Sequence, residues 1–319
     1  MRRFADKFAT LVATLLAVSF GSFMLTSLLP GDPAALMLGP SGITPQALIA
    51  VRQELGLDHP LFVRYWIWLS HVARGNLGFS YANNQSVRTM IWSHLPVTLE
   101  IIVLAMVISV ALAVPLGIWN AHRAGHLSDQ VTAAITFVLL AVPSFVLALL
   151  LILLFAVKVH FFPASGWVPL TQDPVQNLRS ATLPALALAL PQVAIFARLL
   201  RGDMVTTLHE DFITLAHAKG LSNLRVLLVH AFRPSSFSLV TVIGLQVGFL
   251  LGGTVIVENL FSLPGIGSML VSAINSRDLV TVQALTLFIG SAFVIINFGV
   301  DMIYSTLDPR IRRGRALAR

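Results

Sequence analysis

Six runs of mostly apolar residues, at about 8–29, 97–119, 131–157, 181–201, 236–257 and 280–303, constrain what this chain can become. A helix needs about 20 such residues to cross a hydrocarbon core about 30 Å thick, and each run is long enough. Inside lipid the backbone has to satisfy its own hydrogen bonds, so segments of this length resolve into helices. Composition supports the same reading. The chain is 56% hydrophobic and 11% charged, against about 25% charged in soluble domains. The expected fold class is all-α: a polytopic membrane bundle of six transmembrane helices. The first run follows Arg2, Arg3 and Lys7 and exceeds the roughly 7–15 residues of a signal-peptide core, so it reads as a retained anchor.

Six spans put both termini on one side. With the N-terminus inside, fourteen of the 21 Lys and Arg residues fall in inner segments and seven in outer ones. Four of the seven outer residues, Arg52, Arg64, Arg74 and Arg88, lie in one long loop, where charge has little influence on orientation. The expected orientation is therefore cytoplasm-in. The net charge of +7 is sorted by loop and forms no dense basic stripe, which argues against nucleic acid as a partner.

The loop from about 30 to 96 is too long for a simple connection. It opens on the turn-rich Leu29-Pro30-Gly31-Asp32-Pro33. Thr44-Pro45 then reads as an N-cap followed by Pro at N1, predicting a helix to about Leu55 with Gly56 as its stop. A second predicted helix, about 60–73, carries Tyr65, Trp66, Trp68 and Leu69. It reads as a lid on the outer ends of the spans, with its aromatics at headgroup level. Pro115, Pro143, Pro184 and Pro191 interrupt the apolar runs and predict kinks. Gly244, Gly248, Gly252 and Gly253 give the fifth span a small-residue face for close helix approach.

Several chemistries are excluded. With no cysteine there is no thiolate metal site, disulfide or thiol nucleophile. There is no Gly-x-x-x-x-Gly-Lys-[Ser/Thr] loop for a nucleotide, no His-Glu-x-x-His and no Gly-x-Ser-x-Gly. His122 and His126 stand four apart but lack a third ligand nearby, so no catalytic or metal residue is assigned. Among polar residues near the spans, Gln192 and Gln246 are neutral and nearest the middle. Glu258 falls near an end, where a carboxylate costs less than the roughly 3 kcal/mol at a span's centre. These three are the pathway candidates. No mid-membrane ionisable pair or inverted repeat supports a secondary transporter.

One polar interruption remains, Glu210-Asp211-Phe212-Ile213-Thr214-Leu215-Ala216-His217-Ala218-Lys219-Gly220-Leu221-Ser222. Met204, Leu208, Phe212 and Leu215 fall at helical spacing and predict one apolar stripe. Glu210 and Asp211 lie upstream and His217 and Lys219 downstream, as the helix dipole favours. Gly220 suits the left-handed stop position. Ser222 is expected to cap a second short helix, 223–232, ended by Pro234. A helix, sharp turn and helix on the inner side make a docking element.

This segment resembles the coupling segment of ATP-binding-cassette importer permeases, most closely the dipeptide, oligopeptide and nickel branch. The match rests on Ala216-x-Ala218-Lys219-Gly220-Leu221-Ser222 preceded by Glu210-Asp211-Phe212. Three more stretches are similar to that branch. The first runs Leu55-Gly56-Leu57-Asp58-His59-Pro60, Arg64-Tyr65, Trp68-Leu69 and Gly75-Asn76-Leu77-Gly78-Phe79-Ser80. The others are Glu258-Asn259-Leu260-Phe261-Ser262-Leu263-Pro264-Gly265-Ile266-Gly267 and the tail Leu307-Asp308-Pro309-Arg310-Ile311-Arg312. The chain departs from the pattern where Thr214-Leu215-Ala216 replaces Glu-Ala-Ala, at Asn76 where Asp is usual, and at Pro234, which comes early.

The resemblance implies a type I importer permease organised in four segments. These are an N-terminus and first span (1–29), an extracytoplasmic helical loop (30–96), a core permease region (97–303, with coupling helices about 203–234) and a basic cytoplasmic tail (304–319). It implies a multi-pass protein of a bacterial or archaeal inner membrane. The implied partners are a second, non-identical permease, two ATPase subunits that use ATP and Mg²⁺, and an extracytoplasmic substrate-binding protein. The permease itself carries no cofactor. Phe212, Leu215 and Ala216 would be the contact buried against an ATPase, Gly220 the turn, and Glu210, Asp211 and Lys219 the polar rim. Short peptides are the expected cargo, with nickel chelates, glutathione or opines as alternatives.

Overall fold

A computed structural model describes residues 2–27, 34, 44–54, 58–80 and 82–307. The turn at 29–33, the predicted stop at Gly56 and the tail motif after Leu307 lie outside these residues. Among those described, five helices are long and apolar enough to cross a membrane, and six if one sharply bent pair counts as a single span. The chain divides into two compact units, Met1–Thr98 with Pro264–Ile295, and Leu99–Leu263 with Ile296–Arg319.

In the first unit, α1 (Arg2–Ser27) meets the loop helix α3 (Leu61–Ala73), which follows α2 (Pro45–Glu54). The contact is aromatic. The Tyr65 ring meets Phe20 edge-on at 5.3 Å and Phe23 at 5.6 Å, while Trp68 lies 5.7 Å from Phe23. The Tyr65 hydroxyl is 2.8 Å from Ser19 Oγ, which satisfies both polar groups in an apolar setting. Trp66 on the same helix stays exposed. The Arg64 guanidinium lies 5.9 Å over the Phe23 ring, and burial holds its pKa below the ordinary value.

A short hairpin, β1 (Phe79–Ser80) with β2 (Gln85–Ser86), leads into α4 (Val87–His122). Asn76 Oδ1 accepts the Gly78 N–H at 3.0 Å, a role that does not need the Asp usual at this position. Val87, Met90 and Ile91 of α4 form the unit's core with Ile266 and Met269 of α11 (Ile266–Asn275) and Ala284 and Leu285 of α12 (Leu279–Leu307). Thr98 Oγ1 accepts the Ile266 N–H at 2.8 Å, satisfying a donor the first turn of α11 leaves open. The buried Asp278 carboxylate accepts from Ser80 Oγ, Thr281 Oγ1 and the Thr281 N–H, clasping the hairpin to the start of α12. Hydrogen bonds to a charged group contribute about 1.5–3 kcal/mol. Asp278→Ala should therefore speed amide exchange across residues 79–86 by about ten-fold or more, with the spans unchanged, as read by hydrogen–deuterium exchange.

The second unit is built on α7 (Pro174–Leu208), flanked by α5 (Leu127–Ala141), α6 (Ser144–Leu151) and α10 (Phe232–Leu260). Asp173 caps α7, accepting from Val175 N and Gln176 N ahead of Pro174 at N1. Its buried face is rich in alanine, Ala181, Ala185, Ala189 and Ala194 among them, so neighbours approach closely. Pro184 and Pro191 lie within the unbroken helix. The expected fifth-span glycine face is used in part. A Cβ at Gly244 would clash with Val300 and one at Gly253 would touch Leu188, while one at Gly252 would meet nothing within 4 Å.

Two expectations are corrected here. The third predicted span, 131–157, is not one helix: α5 and the α6 segment are bent by 104°. Pro143 forces the residue before it out of the helical region, and Val142 has φ −87° and ψ 123°. The run then ends in a π-helical stretch, Ile152–Lys158. The second correction concerns Pro234, which ends no helix. A short turn, α9 (Asn223–Arg225), passes through a π-helical stretch, Val226–Ala231, directly into α10. Pro234 stands within this continuous helix just after the π-helical stretch, whose wider turn gives its ring room against the preceding carbonyls.

Candidate coupling surface

At the end of α7 the helix stops at Leu208, and His209 and Glu210 carry the chain into α8 (Asp211–Ala218). Glu210 is extended, with φ −76° and ψ 148°, and makes no side-chain cap bond. Asp211 in the first turn and His217 in the last complement the α8 dipole. The stop is a Schellman turn. Gly220 N–H donates to His217 O at 2.9 Å, Leu221 N–H to Ala216 O at 3.3 Å, and Gly220 has φ +75°. Added atoms at Gly220 would meet nothing within 4 Å, so backbone conformation alone selects glycine there. Ser222 occupies the N-cap position of α9 without a side-chain cap bond.

The break at His209–Glu210 overturns the predicted stripe. Met204 is fully buried in α7, whereas Phe212 and Leu215 on α8 are 46% and 55% exposed. The inward face of α8 is Ile213 and Ala216, 2% and 6% exposed, and the helix packs on the Val226–Ala231 stretch. Ala216, expected with Phe212 and Leu215 on one outward contact, is thus part of the chain's own packing. Glu210, Asp211, Lys219 and Gly220 are exposed around the two outward apolar side chains. Leu224, Leu228 and Val229, in the turns that follow, are exposed as well.

Two side-chain ties near this end of α7 were missed by sequence reasoning. Thr207 and Ser235 hydroxyls lie 3.0 Å apart, tying the end of α7 to the start of α10. Arg201 donates from Nε and Nη2 to the two oxygens of buried Asp129, which also accepts the Gly125 N–H at 2.9 Å. That pair fixes the turn between α4 and α5 to α7. The available signal was a lone carboxylate and an arginine at span ends on the same side of the membrane. Arg198 and Arg201, two of the fourteen residues assigned to the inner side, belong to α7.

The pathway candidates do not form one cluster. Gln192 is buried in α7, with its side-chain oxygen meeting no donor among the described residues. Gln246 is half-buried in α10. Glu258 lies about 18 Å further along the same helix, at 1.5 Å per residue. It is fully buried, at 0% exposure, so nearness to a span end did not leave it solvated.

Long apolar helices, a closely packed α7 and a short polar helix between two spans define a polytopic membrane protein. The family profile described as binding-protein-dependent transport system inner membrane component matches residues 113–313, and the N-terminal profile of the same system matches residues 1–102. The chain belongs to this family of binding-protein-dependent inner-membrane transport components. A Brucella abortus protein named as a peptide transport system permease is 40% identical over 95% of this chain and 96% of its own length. A Sinorhizobium fredii protein named as a peptide ABC transporter permease is 36% identical over 94% and 96%. A Salmonella choleraesuis glutathione transport system permease is 36% identical over 95% and 96%.

Proposed function

We propose that this chain is one of two non-identical permease subunits of an ATP-driven peptide importer, and that α8 is where a partner ATPase pushes on it. The observation that carries the reading is the outward pair Phe212 and Leu215, held by a short helix whose other face is locked into the chain. An apolar pair on a charged rim suits a groove on a soluble subunit. ATP and Mg²⁺ belong to the two ATPase subunits. Their closure moves the groove, α8 transmits the displacement to α7 and α10 at its two ends, and the pathway opens towards an extracytoplasmic binding protein. The distribution of Lys and Arg supports cytoplasmic termini and a cytoplasmic α8, which leaves the 30–96 loop on the binding-protein side. Family membership and the peptide permeases among its relatives support peptide cargo. The Salmonella relative makes glutathione, itself a peptide derivative, the second reading.

The test is reconstitution of the chain with its partner permease, ATPases and a binding protein in proteoliposomes. Binding protein loaded with a di- or tripeptide should stimulate ATP hydrolysis several-fold, and glutathione should not. Stimulation by glutathione alone favours the second reading. Purified chain that transports on an ion gradient without ATPase subunits overturns the importer assignment.

A further inference from the structure

Where the 123–126 turn joins α4 to α5, the second unit carries a half-open cavity of about 260 Å³ between α4, α5 and α7. Its depth in the bilayer can be read from its neighbours. Trp119, half exposed, carries the Arg123 guanidinium 4.3 Å over its ring. Trp with a basic side chain marks the boundary between hydrocarbon and headgroups, and Asn120 of the cavity is the next residue. On α5 the lining is Thr132, Ala133, Thr136 and exposed Phe137, and Val131, Ile135 and Val138 beside it on the same helix are exposed as well.

The charge around the cavity is unbalanced. Arg201 is neutralised by its two bonds to Asp129. Arg198, exposed at the rim, stacks 4.0 Å over the Phe137 ring and has no ion-pair partner among the described residues. Stacking covers the face of a guanidinium and leaves its in-plane N–H donors free for an anion. Asn120, 3% exposed, lines the same cavity with a side-chain oxygen that meets no donor. The cavity therefore combines one cation at its rim without a carboxylate partner, one unsatisfied buried amide and an exposed apolar edge on α5.

We propose that this cavity holds the headgroup of an anionic glycerophospholipid of the phosphatidylglycerol class, its phosphate on Arg198 and a headgroup hydroxyl on Asn120. A free phosphate shares the anion chemistry but has no use for the apolar edge. The site stands apart from α8, and the proposal needs only that the chain lies in a membrane.

The test uses the purified full chain in detergent and counts retained lipid by native mass spectrometry after incubation with phosphatidylglycerol or phosphatidylcholine. Phosphatidylglycerol should be retained in preference. Arg198→Gln should lower its retention about five-fold, the expected contribution of one basic side chain at the headgroups. Arg198→Lys should keep most of it. Asn120→Leu should abolish discrimination between phosphatidylglycerol and phosphatidylmethanol, which lacks the headgroup hydroxyls. Unchanged thermal unfolding of Arg198→Gln, a residue on an exposed position, separates lipid loss from misfolding. Equal retention by the parent and Arg198→Gln overturns the proposal, as does displacement of the lipid by millimolar inorganic phosphate.

Discussion

Replacing Phe212 and Leu215 together by aspartate should reduce peptide uptake to background in a chain that still reaches the membrane in normal amount. Both side chains point away from the protein, at 46% and 55% exposure, while Ile213 and Ala216 make the internal contacts of α8. The folded chain loses little by the double change, since surface substitutions of this kind stay within about 0.5 kcal/mol. Docking loses much more. Burying a Phe and a Leu against a partner is worth about 1.5–3 kcal/mol each. Two carboxylates placed in an apolar groove add a desolvation penalty. A loss of about 4 kcal/mol already weakens an interaction roughly a thousand-fold.

The measurement is uptake of a labelled di- or tripeptide in cells expressing the importer, with membrane level checked by immunoblot. Rim substitutions serve as the contrast: Glu210→Gln and Lys219→Gln should change uptake less than two-fold, because exposed charges contribute at most about 1 kcal/mol. Ile213→Asp should act differently, lowering the amount of folded chain, because it buries a charge in the chain's own packing. Parental uptake by the Phe212/Leu215 double variant would remove α8 as the coupling contact.

The contrast between Ile213 and Phe212 also shows where sequence reading stops. Helical spacing runs correctly from Met204 to Leu208 and again within α8. It assumes one continuous helix, however, and the extended Glu210 resets the angular register between them. Hence Phe212 and Leu215 were legible as a pair, but their alignment with Met204 was not, nor was the inward turn of Ala216. The spans were legible because membrane thickness is a hard length requirement on apolar runs. Hydropathy does not sense backbone direction, so the 104° turn at Val142-Pro143 passed as a kink inside one span. The ties between Arg201 and Asp129, and between Thr207 and Ser235, join residues far apart in the chain, and no local pattern marks which polar groups will meet. Glu258 illustrates the same limit. Its position near a helix end suggests access to water, but neighbouring elements bury it completely.

Gly244→Val should destabilise the chain more than the same change at Gly252 or Gly253, lowering its unfolding midpoint in detergent by about 5 °C or more. A Cβ at this position would stand 2.5 Å and 2.8 Å from the two γ carbons of Val300 on α12, and 3.2 Å from its Cβ. Valine is stiff about χ1 and cannot swing aside, so the helices would have to part. Overpacking of this kind costs about 1–3 kcal/mol, and each kcal/mol moves the midpoint of a domain of 150–250 residues by about 2–4 °C. The cause can be isolated. Val300→Ala removes both crowding γ carbons, so Gly244→Ala combined with Val300→Ala should unfold closer to the parent than Gly244→Ala alone, a non-additivity expected only of residues in contact. Gly252→Ala, where an added Cβ meets nothing within 4 Å, should be neutral or slightly stabilising, since alanine favours a helix over glycine by about 1 kcal/mol. Additive behaviour of positions 244 and 300 would mean that α10 and α12 do not meet at this glycine. A coupled pair would instead show that α10 touches α12 at this glycine, a point contact between two spans.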